Sequence, residues 1–204
     1  MTDNRPSPPL LPATMSQTVL PVALDKSWRL LNHGPTVLVA SAHGGRRNLM
    51  AAAWTMPLDF APPKVAVVID KSTLSRELIE ASGEFVLAVP TRAQAALTLA
   101  VGSRSGRDGD KFAALGIDTF AAERVAAPLV AGCIGWLECR VLPEPHIQNT
   151  YDLFLAEIVA ARADAALFRD GHWHFDGPET RSIHYIAGGH FFATGEAFET
   201  AEPA

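Results

Sequence analysis

Residues 46–54 read Arg46-Arg47-Asn48-Leu49-Met50-Ala51-Ala52-Ala53-Trp54, and they follow Pro35-Thr36-Val37-Leu38-Val39-Ala40 across a Gly44-Gly45 pair. Two extended apolar stretches joined by two glycines predict a β-hairpin, with Asn48 to Trp54 as the returning strand. Three successive alanines are unusual in a strand, because alanine covers little of a pleated surface. Something must come close to that backbone. A flat aromatic ligand lying along the strand meets the need, held by exposed main-chain groups and bordered by Met50 or Trp54. Tight packing of a helix or another subunit against the small side chains meets it as well.

Working outward, Val65-Ala66-Val67-Val68-Ile69 and Phe85-Val86-Leu87-Ala88-Val89 are rich in β-branched residues and predict buried strands. Between them, Ser72 or Ser75 can cap a helix that carries Leu78 and Ile79 and stops at Gly83. Thr91-x-x-Gln94 is a capping box opening an Ala/Leu-rich segment to Val101, and Asp110 to Leu115 predicts a short helix closed by Gly116. Ile134 to Leu142, Leu153 to Ala161 and a hairpin at Asp170-Gly171 restore the β pattern. The fold class is therefore mainly β with a few helices, a barrel rather than a βαβ series.

The 204 residues suit one domain, and 48% hydrophobic against 19% charged residues is enough to bury a core. Residues 1–21 are Pro-rich and read as an N-terminal arm, 22–195 as the domain, and 196–204 as an acidic C-terminal tail. With 17 Lys and Arg against 22 Asp and Glu, the net charge of −5 argues against a nucleic-acid partner. The N-terminus has no signal-peptide pattern, and no apolar run reaches the roughly 20 residues of a membrane span. Cys133 and Cys139 match neither a CxxC redox pair nor a zinc framework, so reduced thiols and a cytoplasmic setting are expected.

Asp70-Lys71-Ser72-Thr73-Leu74-Ser75 follows a strand and opens a helix. Free N–H groups at a helix start, the Ser72, Thr73 and Ser75 hydroxyls and the Lys71 ammonium together suit a phosphate. Ordinary capping uses the same residues. His172, His174 and Asp176 alternate on one strand, but they also read as a solvated hairpin face, and no metal site is assigned.

In their order and spacing these segments resemble the flavin reductase-like family, which binds FMN in a split β-barrel. The resemblance runs from about Gly34 to Gly195 through NLMAAAW and PPKVAVVIDKSTLSRELIEASGEFVLAVP. It continues through Asp110-Lys111-Phe112, Leu137-Glu138-Cys139-Arg140 and Leu153-Phe154-Leu155-Ala156-Glu157-Ile158-Val159. It implies a homodimer with FMN near the subunit interface, Asn48, Leu49, Met50, Ala51, Ala52, Ala53 and Trp54 along the isoalloxazine, and Lys71, Ser72, Thr73 and Ser75 at the phosphate. Similar members often carry Arg at the place of Thr73, an aromatic at Leu74 and Thr at Ser75. Arg46, Arg47, Arg104 or Arg107 can supply the missing charge.

NAD(P)H-using members often have a His where this chain has Tyr151, a residue that stacks and donates a hydrogen bond but carries no cationic charge at neutral pH. His184 to Phe192 surrounds Gly188-Gly189 with aromatics and corresponds to a stretch near the family's flavin pocket. Tyr151 and His190 are the candidate catalytic residues. The implied activity is hydride transfer from NAD(P)H to FMN and on to free flavin, oxygen or another acceptor. The alternative is an FMN-binding electron carrier or sensor without NAD(P)H oxidation.

Overall fold

A computed structural model describes residues 17–200. The first sixteen residues of the arm and residues 201–204 of the tail lie outside the described residues. The strands are β1 (Val19–Pro21), β2 (Val37–His43), β3 (Arg46–Ala52), β4 (Thr55–Phe60), β5 (Pro63–Val68), β6 (Glu84–Val89), β7 (Thr119–Phe120), β8 (Leu129–Val130), β9 (Gly135–Leu142), β10 (Leu153–Asp164), β11 (Phe168–Arg169), β12 (His172–Trp173), β13 (Ile183–Ala187) and β14 (His190–Ala193). The helices are α1 (Leu24–Ser27), α2 (Leu74–Ser82), α3 (Ala95–Ser103), α4 (Lys111–Leu115) and α5 (Pro145–Tyr151).

The predicted hairpin forms. Gly44 and Gly45 both take positive φ, +57° and +77°, the signature of a two-residue type I′ turn, and pair His43 with Arg46. β3 ends at Ala52, so Ala53 and Trp54 lie beyond the strand. Among the elements that lack a sequence signal are β4 and α5. β4 turns its larger apolar residues outward, and α5 is a single short stretch that opens at Pro145, two residues after Pro143. Val19–Pro21, at the end of the proline-rich segment, pair with Asp164–Arg162 of β10 and so belong to the sheet.

The main sheet is antiparallel, in the order β3-β2-β6-β9-β10-β5-β4, with β1 added to β10. β3 and β4 stand at opposite ends of this order although only Ala53 and Trp54 separate them, so the sheet curls round and stays open between them. Both faces are buried. Val37, Val39, Phe85 and Leu87 point into one core, and Leu38, Ala40, Val86 and Ala88 into a second, where Leu97 and Val101 of α3 and Phe112 of α4 cover them. Alternate residues meeting different cores explain why these strands are apolar throughout. Cys133 and Cys139 are buried free thiols whose titration burial pushes up. Among the described residues no helix is long and apolar enough to cross a membrane.

The β13–β14 hairpin docks on the loop before β2. The Thr36 amide donates to Ile183 O (2.8 Å), the Tyr185 amide to Thr36 Oγ1 (2.8 Å), and His33 Nε2 meets Ser182 Oγ at 2.8 Å. Burial, and then the neighbouring His184, pull the His33 imidazole down to about 4, so it stays neutral in the fold. The unfolded chain protonates this residue near 6.5, so stability is full above that pH and is lost as the pH falls toward 4. In denaturant titrations the wild type should lose on the order of 2 kcal/mol more than His33→Gln across this window. Equal losses would contradict the assignment.

Candidate functional site

The type I′ turn settles which groups of β3 are free. In a two-residue hairpin the closing pair, His43 and Arg46, exchanges hydrogen bonds, and so do Ser41 with Asn48 and Val39 with Met50. Arg47, Leu49 and Ala51 then direct their N–H and C=O away from β2, toward an edge that carries no further strand among the described residues. Lys111 Nζ donates to Leu49 O at 2.8 Å and confirms this direction. Ala51 is the next residue along the edge.

Beside it lies a cleft of about 170 Å³ formed by Thr36, Ala51 and Ala53, by Thr98, Leu99, Gly102 and Ser103 of α3, and by Tyr185 and Phe191 of the C-terminal hairpin. Tyr185 and Phe191 meet edge to face at 5.3 Å. A Cβ on Gly102 would lie 3.3 Å from Ala51 Cβ. The small side chain at 51 therefore serves two purposes, letting α3 approach and leaving the cleft open. Ala52 instead enters the inner core. Trp54 is 76% exposed.

The turn before α2 differs from a bare cradle. Thr73, rather than Ser72 or Ser75, caps the helix: its Oγ1 accepts from the Arg76 amide (3.2 Å) and donates to Asp70 O (2.8 Å). Ser72 bonds the Asp70 carboxylate through both its hydroxyl and its amide, which holds that carboxyl below the usual range. Ser75 is buried and accepts from Asn48 Nδ2 at 3.0 Å. The three hydroxyls are thus engaged within the protein, while Lys71 is exposed. Asn48 Oδ1 is buried and has no hydrogen-bond partner among the described residues.

Arg46 and Arg107 share the Glu77 carboxylate at 3.0 and 2.9 Å, and Arg47 pairs with Asp110 at 3.0 Å. Arg104 is exposed and forms no ion pair with the described residues. The sequence offers no signal for Arg76, which is buried on α2 and pairs with Glu80 one turn on. Its buried guanidinium donates to Asp152 Oδ1 (3.0 Å) and Gln148 O (3.0 Å) and lies over the Phe154 ring. With the Ile69 amide bonded to Asp152 O (2.8 Å), this anchors the end of α5 and brings Tyr151, 62% exposed, beside the α2 turn. His190 lies apart, exposed on β14 next to the cleft residue Phe191. Among the described residues no three His, Cys, Asp or Glu gather as a metal site, and His172, His174 and Asp176 do not converge.

The family model for the flavin reductase like domain matches residues 29–179. The chain belongs to the flavin reductase-like family. An FMN-binding domain of a flavin reductases-like enzyme from Shewanella baltica OS155 has 51% identity and a TM-score of 0.89, covering 92% of this chain and all of that one. The flavoredoxin of Desulfovibrio vulgaris (Miyazaki F) has 28% identity and a TM-score of 0.72, over 83% of this chain and 91% of that one. The Escherichia coli (strain K12) protein YddH is 47% identical over 180 residues, 87% of this chain and 95% of YddH. The open sheet is thus the split barrel of this family.

In this flavin reductase-like chain the loop after α3 seats on Asn48. A Cβ at Gly106 would fall 2.2 Å from Asn48 Oδ1, and Asn48 is buried and tied to Ser75, so it cannot swing aside. Gly106→Ala is expected to cost about 1–3 kcal/mol, as overpacking does, measured by denaturant unfolding. Unchanged stability would show that Asn48 yields.

Proposed function

We propose that this chain binds FMN along the free edge of β3 and catalyses hydride transfer from NAD(P)H through it to free flavin, oxygen or another acceptor. The observation that carries the reading is Ala51, whose main-chain N–H and C=O face an open edge beside a cleft with two aromatic walls. An imide ring edge, which both donates and accepts, matches one residue that offers both groups. The family, and a relative described as an FMN-binding domain of a flavin reductases-like enzyme, support it.

In this reading Asn48 to Trp54 form the flavin side. Asn48 acts through Ser75 and the 106 loop, Leu49 and Ala52 pack the strand, Met50, Ala51 and Ala53 line it, and Trp54 borders it. Lys71 supplies the cation for the phosphate, with Ser72, Thr73 and Ser75 shaping the turn and leaving main-chain N–H groups at the start of α2. Bound FMN supplies the hydride chemistry, and the protein supplies the pocket and orientation. Tyr151 stands at the turn to contact nicotinamide, and His190 flanks the aromatic wall. A cytoplasmic setting is part of the same reading.

A homodimer completes it. Trp54, just before β4, and Met56, Leu58 and Phe60 on it are all exposed and form an apolar stripe at the other open edge of the barrel. Such a stripe on an edge strand invites a second copy. Sedimentation velocity is expected to show a dimer for the wild type and a monomer for Met56→Glu; a wild-type monomer would refute the dimer.

One observation favours the alternative of an electron carrier. Tyr151, exposed and edge-on to His146 at 6.4 Å, brings no cation to the place where the family often has histidine. Stopped-flow reduction of the FMN-loaded protein decides. Losing one oriented contact is worth about 1–3 kcal/mol, so Tyr151→Ala should slow reduction about 5- to 150-fold at nearly constant FMN affinity. Tyr151→His should keep or raise the rate. If all three proteins react equally slowly with NADH and NADPH while dithionite reduces the flavin at once, the chain is a carrier.

A further inference from the structure

The cleft beside Ala51 lies on a face of the sheet rather than at its edge. Thr36 stands two residues before Leu38 and Ala51 two after Leu49, so their side chains rise toward α3, as those of Leu38 and Leu49 do. The free N–H and C=O of Ala51 lie instead in the plane of the sheet and point off it, past β3. A ring held at that edge therefore leaves the space between α3 and the C-terminal hairpin to a second molecule.

The walls select the chemistry of that molecule. A volume of about 170 Å³ suits one six-membered ring with small substituents, since a buried apolar cavity of about 150 Å³ holds benzene, and the three fused rings of a free flavin are too large. Tyr185 and Phe191 give it aromatic walls, and among the described residues no acidic or basic side chain lines it to compensate a charged ligand. The hydroxyls divide. Thr98 Oγ1 donates to Gln94 O (2.9 Å) and Ser103 Oγ to Leu99 O (2.8 Å), which spends both protons on carbonyls one turn back. Thr36 does the opposite: its Oγ1 accepts from the Tyr185 amide at 2.8 Å, and no described residue takes its proton. This side chain lines the cleft and is 3% exposed. A buried donor without an acceptor is costly, and a ligand carbonyl answers it. We propose that the cleft binds a neutral, conjugated carbonyl compound of one ring, its oxygen accepting from Thr36, and that this class supplies the electron acceptor. Over the whole reaction NAD(P)H loses a hydride, solvent supplies a proton, and the carbonyl compound gains both. The proposal rests on the FMN reading above for its source of electrons.

The probe is acetophenone, titrated into the full FMN-loaded chain carrying ring-labelled tyrosine. The chain has two tyrosines, so NMR reports Tyr151 and Tyr185 separately. Acetophenone should shift Tyr185 and not Tyr151, and should bind about 2- to 10-fold more tightly than toluene, the yield of one neutral hydrogen bond; benzoate should not bind. Thr36→Ser should keep that preference and Thr36→Val should lose it. Stopped-flow oxidation of the dithionite-reduced holoprotein by 1,4-benzoquinone should slow by a similar factor in Thr36→Val, and an unchanged rate would overturn the acceptor role. Equal wild-type affinity for acetophenone and toluene would overturn the proposal, and this comparison decides alone if Thr36→Val does not fold. Acetophenone that reaches Tyr185 only in the FMN-free chain would overturn it too, because the flavin itself would then fill the cleft. A chain that takes up no FMN yet binds acetophenone at Tyr185 would remove the flavin reading and uphold the ligand class.

Discussion

Among the described residues β3 has a hydrogen-bonded neighbour strand on one side only. An edge strand presents unpaired N–H and C=O groups, and a protein must cover, blunt or use them. Here the edge is divided. Lys111 covers Leu49, and Ala51 stays open at the cleft. The surrounding structure follows from keeping that short length of backbone accessible but ordered. The Gly44-Gly45 turn sets which residues face outward, α3 comes close enough to need Gly102 opposite Ala51, and the C-terminal hairpin adds Tyr185 and Phe191 above them.

The rigidity behind this edge comes from burial on both sides of the sheet. β2 and β6 send alternate residues into two separate cores, so a one-residue slip would exchange every side chain between cores of different shape. At the other end Arg76 plays a similar part, tying α2 to the end of α5 through Asp152 and the Gln148 carbonyl. The turn that carries Lys71 and the loop that carries Tyr151 are thereby fixed to each other by a buried cation rather than by apolar packing.

Much of this was legible in the sequence where local chemistry decides structure. Gly44-Gly45, the Thr91 and Gln94 capping box, Gly83 and Gly116 after helices, and Asp170-Gly171 all act within a few residues of themselves, and each forms as expected. Partners distant in the chain were not legible. β4 was hidden because its large residues face outward, opposite to what a single-chain core pattern leads one to expect. Asp110-Lys111-Phe112 was visible as a motif, yet nothing local shows that the lysine reaches a carbonyl 62 positions away. In the α2 turn, Ser72, Thr73 and Ser75 were equivalent as hydroxyls, and only tertiary contacts separate the cap Thr73 from Ser75, which answers Asn48.

A crystal structure of the full chain with FMN tests the central claim most directly. The account predicts the ring edge within hydrogen-bonding distance, about 2.7–3.2 Å, of the Ala51 main chain, and the phosphate at the Lys71 to Ser75 turn. A flavin seated elsewhere, with the Ala51 edge left to solvent, would contradict it.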